Sequence, residues 1–328
     1  MADELDLLRT ADPVPAGGPH YGDGPLDHTA ERHLARLLHD TPRPRPRPRS
    51  RRLVWSLAAA LAAAVTALAV LQGGPAGTPA VAAPRPLAVR AHSTPVPLAD
   101  VAELAAAAAR DGSPALRQGT HVQSWSLGMS DGRPPVTLPE ERVVRWAADG
   151  THTEVVVATD PARPGRPVLT DDGDRTRPVE DGHVLSRRTF PPMWGDAPPY
   201  GTPPHDPARL RTYLTELAGG GTRTLTTPEL LDATRELLDN WTLGARETAA
   251  LAALLAEAPG LRPAGRVTDR LGRTGQAYVL DAAPGGRRML ILDPATGTVL
   301  GLETTFTRDD PEYGVRAGDV MDYSAWMR

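Results

Sequence analysis

Residues 128–132 read Gly-Met-Ser-Asp-Gly, the spacing of a G-x-S-x-G nucleophile elbow. In that device a strained turn between a strand and a helix lifts the serine above an oxyanion hole, ready to attack an acyl carbon. A β-rich run precedes Ser130, but Arg133-Pro134-Pro135 stands where the helix would have to start. The surrounding pattern is one of antiparallel hairpins, so a hairpin loop is expected here and no hydrolase. The nine histidines, from His20 to His205, form no metal-binding pair on a common element. His28 and His33 share a predicted helix, yet a five-residue step leaves them about 140° apart around it. With no cysteine in the chain, a thiolate zinc site and disulfides are both excluded. Asp171-Asp172-Gly173-Asp174 has the acidity of a calcium loop without its later ligand positions or closing glutamate, and reads as a solvated turn. Gly219-Gly220-Gly221 lacks the lysine of a phosphate loop; the chain contains no lysine at all. Catalytic, cofactor-binding and metal-ligating residues are all expected to be absent, which makes the protein non-enzymatic. Trp125, Trp146 and Trp241 lie in or beside predicted elements; aromatic core is the favoured reading, with cavity lining as the alternative.

The strongest positional signal lies elsewhere. Residues 53–71 contain five Leu, three Val, eight Ala and one each of Trp, Ser and Thr, with no charge. As a helix this run spans roughly 28 Å, about the hydrocarbon thickness of a bilayer. Gln72-Gly73-Gly74-Pro75 then stops it. A transmembrane helix over 53–71 is expected. Arg43, Arg45, Arg47, Arg49, Arg51 and Arg52 all precede it, while Arg85 and Arg90 are the nearest basic residues after it. The positive-inside rule places the N-terminus in the cytoplasm and the C-terminal part outside. Each of these arginines contributes about 1 kcal/mol of attraction to an anionic leaflet. The prolines between them favour an extended spacer, and Trp55 sits at interface depth. A cleaved signal peptide is the competing reading, with Ala80-Val81-Ala82 as the cleavage site. The long n-region and the length of the apolar run argue for a signal-anchor instead.

The segment before the span, residues 1–52, is a small cytoplasmic arm. Glu4–Arg9 makes one or two helical turns before Pro13, and Asp27 caps a second helix from His28 to about His39. Leu34, Leu37 and Leu38 form its apolar stripe, and Leu5 and Leu8 add a smaller one. Such stripes are too small to fold alone, so the arm folds on a partner or lies on the bilayer. Burying three leucines against a partner yields roughly 4–8 kcal/mol before ordering costs. Net charge runs from -5 over the first forty residues to +6 over the next twelve, and back to -5 beyond the span. An acidic exported domain excludes nucleic acid as its ligand.

Residues 72–97 form a Pro/Gly/Ala linker, and 98–328 a domain large enough to fold without disulfides. A helix is predicted over Asp100–Arg110, then β runs at Gly119–Leu127, Arg142–Ala147, Thr151–Ala158, Val168-Leu169 and His183–Leu185. Asp-Gly dipeptides at 131–132, 149–150, 172–173 and 181–182 mark tight turns between them. Helical starts follow at Asp206-Pro207, Thr227-Pro228-Glu229 and Thr242. A second set of β runs is expected at Arg262–Asp269, Ala277–Asp281, Arg287–Leu292 and Val299–Thr307, with a last one over Asp319–Tyr323. The fold class is α+β: antiparallel meanders on either side of a helical insert.

The opening Glu4-Leu5-Asp6-Leu7-Leu8-Arg9, the arginines before one span and the late Val267-Thr268-Asp269 with Leu292-Asp293-Pro294-Ala295-Thr296-Gly297 carry a resemblance. Together they resemble an uncharacterised actinobacterial family of single-span membrane proteins, often encoded beside extracytoplasmic-function sigma factors. Separately, the helix at Asp100–Arg110 followed by Gly119-Thr120-His121 and a meander looks like the start of the lipoprotein-carrier fold, an open antiparallel half-barrel closed by helices. The resemblance implies an anti-sigma-like regulator, with an outside sensor domain and a sigma-binding arm in residues 1–52. The alternative it implies is an anchored envelope protein that binds a lipid or another apolar ligand in the half-barrel without signalling.

Overall fold

The computed structural model describes residues 84–129, 133–171, 175–192, 201–219, 223–282 and 285–327. The expected span, its arginines, Trp55 and the arm residues Leu5, Leu8, Leu34, Leu37 and Leu38 lie outside the described residues, as do Ser130 and Asp172–Asp174. Among the described residues no helix is long and apolar enough to cross a membrane.

The first helix, α1 (Leu98–Ala108), starts after Pro97 and runs into a 3-10 turn that Gly112 ends with a positive φ of 70°. Alternation then takes over. Strands β1 (Arg117–Gly128), β2 (Val136–Trp146) and β3 (His152–Ala158) form an antiparallel meander. A small hairpin of β4 (Val168–Asp171) and β5 (Thr176–Val179) interrupts it before β6 (His183–Phe190) returns beside β3.

The helical insert keeps the expected start at Asp206 and has the second one residue early, at Thr226, whereas Thr242 lies in a short strand and Gly244 precedes the third helix without a side-chain cap. In α2 (Pro207–Leu217), Asp206 accepts from the Arg209 amide at 2.9 Å, and Pro207 occupies a position that has no amide to lose. At the start of α3 (Thr227–Leu238), the Glu229 carboxylate accepts from the Thr226 amide at 2.8 Å and hydroxyl at 2.6 Å. A two-residue strand, β7 (Trp241–Thr242), precedes α4 (Ala245–Ala256). The last strands are β8 (Arg262–Thr268), β9 (Thr274–Ala282), β10 (Gly286–Leu292), β11 (Val299–Phe306) and β12 (Val320–Trp326).

The two meanders are one sheet. Strand β12 pairs antiparallel with β1, Val122 opposite Trp326 and Ser126 opposite Asp322, which gives the order β6-β3-β2-β1-β12-β11-β10-β9-β8 with β7 attached to β1. Ten strands and, among the described residues, four α-helices make an α+β domain. Alternate residues bury on opposite faces. Val122, Tyr278, Leu290, Leu302 and Trp326 face the helices and pack with Leu210, Leu214, Leu231, Leu237, Leu251 and Leu255. Trp125, Ala277, Met289, Ile291, Tyr323 and Ala325 form a second core on the other face, against Leu87, Val89 and Leu271. Burial on both faces explains why β9 to β12 read as dense apolar runs rather than strict alternation.

Candidate functional site

Where α3 ends, the chain turns sharply and pairs with the start of β1: Trp241 opposes Gln118, and Thr242 opposes Arg117. Three further bonds fix this junction. The Gly119 amide donates to the Asn240 carbonyl at 2.8 Å, the Thr120 hydroxyl to the Leu238 carbonyl at 2.7 Å, and the Thr242 hydroxyl to the Gly119 carbonyl at 2.9 Å. Both hydroxyls are thereby committed to backbone carbonyls.

Trp326, at the end of β12, enters the same region. Its indole N–H donates to Asp239 Oδ1 at 2.9 Å, which fixes the ring plane. Arg142 supports this arrangement by donating to the Asp239 carbonyl at 2.8 Å and by holding Glu154 at 2.7 Å. Burial pushes the Asp239 carboxyl above its ordinary range, while the Trp326 N–H and the nearby guanidinium groups of Arg235 and Arg142 oppose the rise. The carboxyls of Asp322 and Glu140 are also raised by burial. Asp322 is bonded to Arg235 at 3.1 Å.

Between these elements lies a pocket of about 400 Å³, its open mouth included. Trp241 and Trp326 supply flat walls, Leu238, Leu243, Leu251 and Val299 aliphatic ones, and Thr120, Thr242, Thr248, Thr298 and Met327 complete the lining. The Trp241 indole N–H is buried without a hydrogen-bond partner. The chemistry offered is apolar contact. Much of that volume is open mouth, so the enclosed part is small.

The three tryptophans singled out in the sequence go to different places. Trp125 is core on the second face, 5.5 Å from the Tyr323 ring and bonded to Asp160 at 3.3 Å. Trp146 stacks on His152, which stacks on Phe190, across β2, β3 and β6, at 4.2 and 4.6 Å. Only Trp241 lines the pocket. The strands on either side of the serine motif are antiparallel neighbours, Gly128 opposite Val136, and residues 130–132 lie outside the described residues. His121 pairs with Glu141, and His205 lies 4.0 Å from Glu247. Trp326 and Met327 were missed by the sequence reading, whose last β run stopped at Tyr323. The apolar alternation of Tyr323, Ala325 and Met327 was the available signal.

No family model matches the chain, and no curated protein matches it. Among solved structures, the dehydratase domain from the CurK module of curacin polyketide synthase is aligned over 72% of this chain and 82% of that chain, at 11% identity. The TM-score is 0.13, so the alignment bears on neither fold nor function.

Proposed function

We propose that this chain is a single-span, non-enzymatic envelope protein with a cytoplasmic N-terminus, whose described domain is an extracytoplasmic sensor and whose arm, residues 1–52, engages a sigma factor. The observation that best supports a sensor is the apolar pocket, because its walls come from α3, α4, β1, β12 and the turn before β11. A ligand there would touch the helical insert and both halves of the sheet at once. The finer architecture we propose is an open half-barrel. What supports it is a sheet whose path ends at β6 and β8 without joining, with the helices packed on one face. The regulatory half of the reading rests on the family resemblance and on the leucine stripe of the arm. The same pocket equally favours a second reading, an anchored protein that binds a lipid or other apolar ligand and does not signal.

One experiment separates these readings. Full-length protein taken from membranes is analysed by native mass spectrometry for a co-purified apolar ligand, and its captured sigma factors are identified. Sigma-factor capture that disappears in Leu34→Asp plus Leu38→Asp, and only weakens in Arg32→Ala plus Arg36→Ala, supports the regulator. Ligand without sigma factor supports the second reading. Neither ligand nor sigma factor removes both. Reporter fusions at residues 40 and 74 should report opposite sides of the membrane; the same side for both would end the anchor reading.

A further inference from the structure

The sheet has two ends, and the chain treats them differently. At β8, residues 89–93 lie along the outer edge. Val89 bridges Val267 in antiparallel fashion, the Arg90 amide donates to the Arg266 carbonyl at 2.8 Å, and the Ser93 hydroxyl accepts from the Arg266 amide at 3.0 Å. Just before them, the Leu87 amide donates to Glu303 at 2.8 Å, and Leu87 and Val89 pack on the second core. That edge is covered by the chain itself.

At β6 nothing comparable is present among the described residues. The strand is last in the sheet order and pairs only with β3. Its register skips Leu185, then runs unbroken from Ser186 to Phe190 against Val156 to His152. Apart from β3, no described residue bonds to the backbone of residues 184–190. Every second residue of an edge strand turns its N–H and C=O away from the neighbouring strand, so a row of unpaired backbone groups faces outward here. The end of the row is held in place, because Phe190 stacks on His152, which stacks on Trp146.

Arg187 and Arg188 stand in the middle of this run, both exposed. Being consecutive, they project to opposite faces of the sheet. Arg188 lies opposite Glu154, but that carboxylate accepts two bonds from Arg142, at 2.7 and 3.0 Å. Arg187 lies opposite Val155. Neither arginine has a carboxylate partner among the described residues, and β6 itself carries no acid.

An edge charged in this way rejects a copy of itself. Two β6 strands paired antiparallel would crowd both arginine pairs about the two-fold, and like charges across a ladder are destabilising. A strand with carboxylates at those positions meets the opposite balance. Alternation narrows the pattern further: facing Arg187 on one side of the sheet and Arg188 on the other takes two consecutive acidic residues. We infer that the outer edge of β6 is a docking site for an extended segment of another protein, one that carries an acidic dipeptide between β-forming residues and adds to the sheet as a further strand. Backbone ladder bonds supply the affinity, and the two guanidinium groups select the sequence. The covered edge at β8 restricts such addition to one end of the sheet.

Full-length protein in zwitterionic nanodiscs, titrated with the fluorescent peptides VTVEEVTV, VEVTVEVT and VTVKKVTV, tests this. The first two share composition and charge, but the second places both acids on one face. Comparing them separates strand addition from plain attraction to the arginines of residues 43–52. The first should bind about threefold more tightly than the second and about tenfold more tightly than the third, the scale of one and two exposed ion pairs. Once bound, it should slow amide exchange within residues 186–190 and leave β8 unchanged. Arg187→Glu plus Arg188→Glu should reverse the order in favour of VTVKKVTV, and that gain of binding also shows that the variant folds. Equal binding of the two acidic peptides overturns the inference, as does a bound peptide that leaves exchange in β6 unaltered. Dimerisation through β6 without peptide overturns it too, because the edge would then belong to a second copy.

Discussion

Glu229 illustrates how much a single exposed side chain does at an element boundary. Hydrogen bonds from Arg223 and from the hydroxyl and amide of Thr226 hold its carboxyl down from an ordinary 4.5 to about 2. A depressed carboxyl contributes stability that is fully present above pH 4.5 and is lost as pH falls through about 2. Glu229→Gln should therefore lower the urea midpoint by a constant amount at neutral pH, with the gap to the parent protein closing between pH 4.5 and 2. A gap that persists unchanged at the acid end would assign the effect to shape, not charge. The buried carboxyls of Glu303, Asp322 and Asp239 act in the opposite sense. Burial raises them, so their contribution declines as pH rises from their ordinary range through their raised values. Asp149 and Asp181 are lowered like Glu229, by hydrogen bonds from Thr151 and Thr159, and act in its direction.

Elements meet closely where side chains are small. The turn between β10 and β11 runs from Asp293, whose carboxylate accepts from the Ala295 amide at 2.9 Å and the Thr296 hydroxyl at 3.1 Å, to Gly297. Gly297 has a positive φ of 70°, and a Cβ on it would lie 2.7 Å from Ala105 of α1 and 3.2 Å from Ala252 of α4. One glycine thus lets a turn sit between two helices, of which α4 also lines the pocket. Gly297→Ala combines a left-handed backbone with a clash and should cost about 2–4 kcal/mol of unfolding free energy. Gly219→Ala, with a φ of 66° and open space around it, has only the backbone term and should cost about 1 kcal/mol. Equal losses in chemical denaturation would show that the three-element approach adds nothing.

At the scale of the molecule, stability comes from two cores that share one sheet, because there is no cysteine to staple it. The seam between β1 and β12 joins residues about two hundred positions apart, so neither meander completes its sheet without the other. Residues 84–328 expressed alone should unfold in one cooperative transition, indifferent to reductant. Starting the chain at residue 98 removes Leu87 and Val89 from the second core and leaves Glu303 without the Leu87 amide. That shorter chain should lose about 2 kcal/mol or more, measured as a lower urea midpoint. Two separated transitions in the longer chain would contradict the single sheet.

Local chemistry was readable from the residues alone. Proline and acidic starts located α2 and α3, Gly112 the end of the first helical segment, and apolar runs the core strands β10 and β11 to within a residue or two. These signals involve neighbours in sequence, whose geometry the backbone fixes directly. The extensions of β2 back to Val136 and of β6 on to Phe190 were not readable, since Pro139, Glu140, Arg187 and Arg188 have no strand preference and pair because β1 and β3 lie alongside. Strand β7 is two residues that exist only through Arg117 and Gln118. The pocket belongs to this second class: Trp241 was visible as an aromatic residue, but its partner Trp326 reaches it only after β12 has crossed to β1 and Asp239 has fixed its ring. Composition and periodicity determined which segments would be helix or strand and where they would turn. Long-range pairing, which has no signature in a local window, decided that two meanders are one sheet and that a cavity opens where they meet.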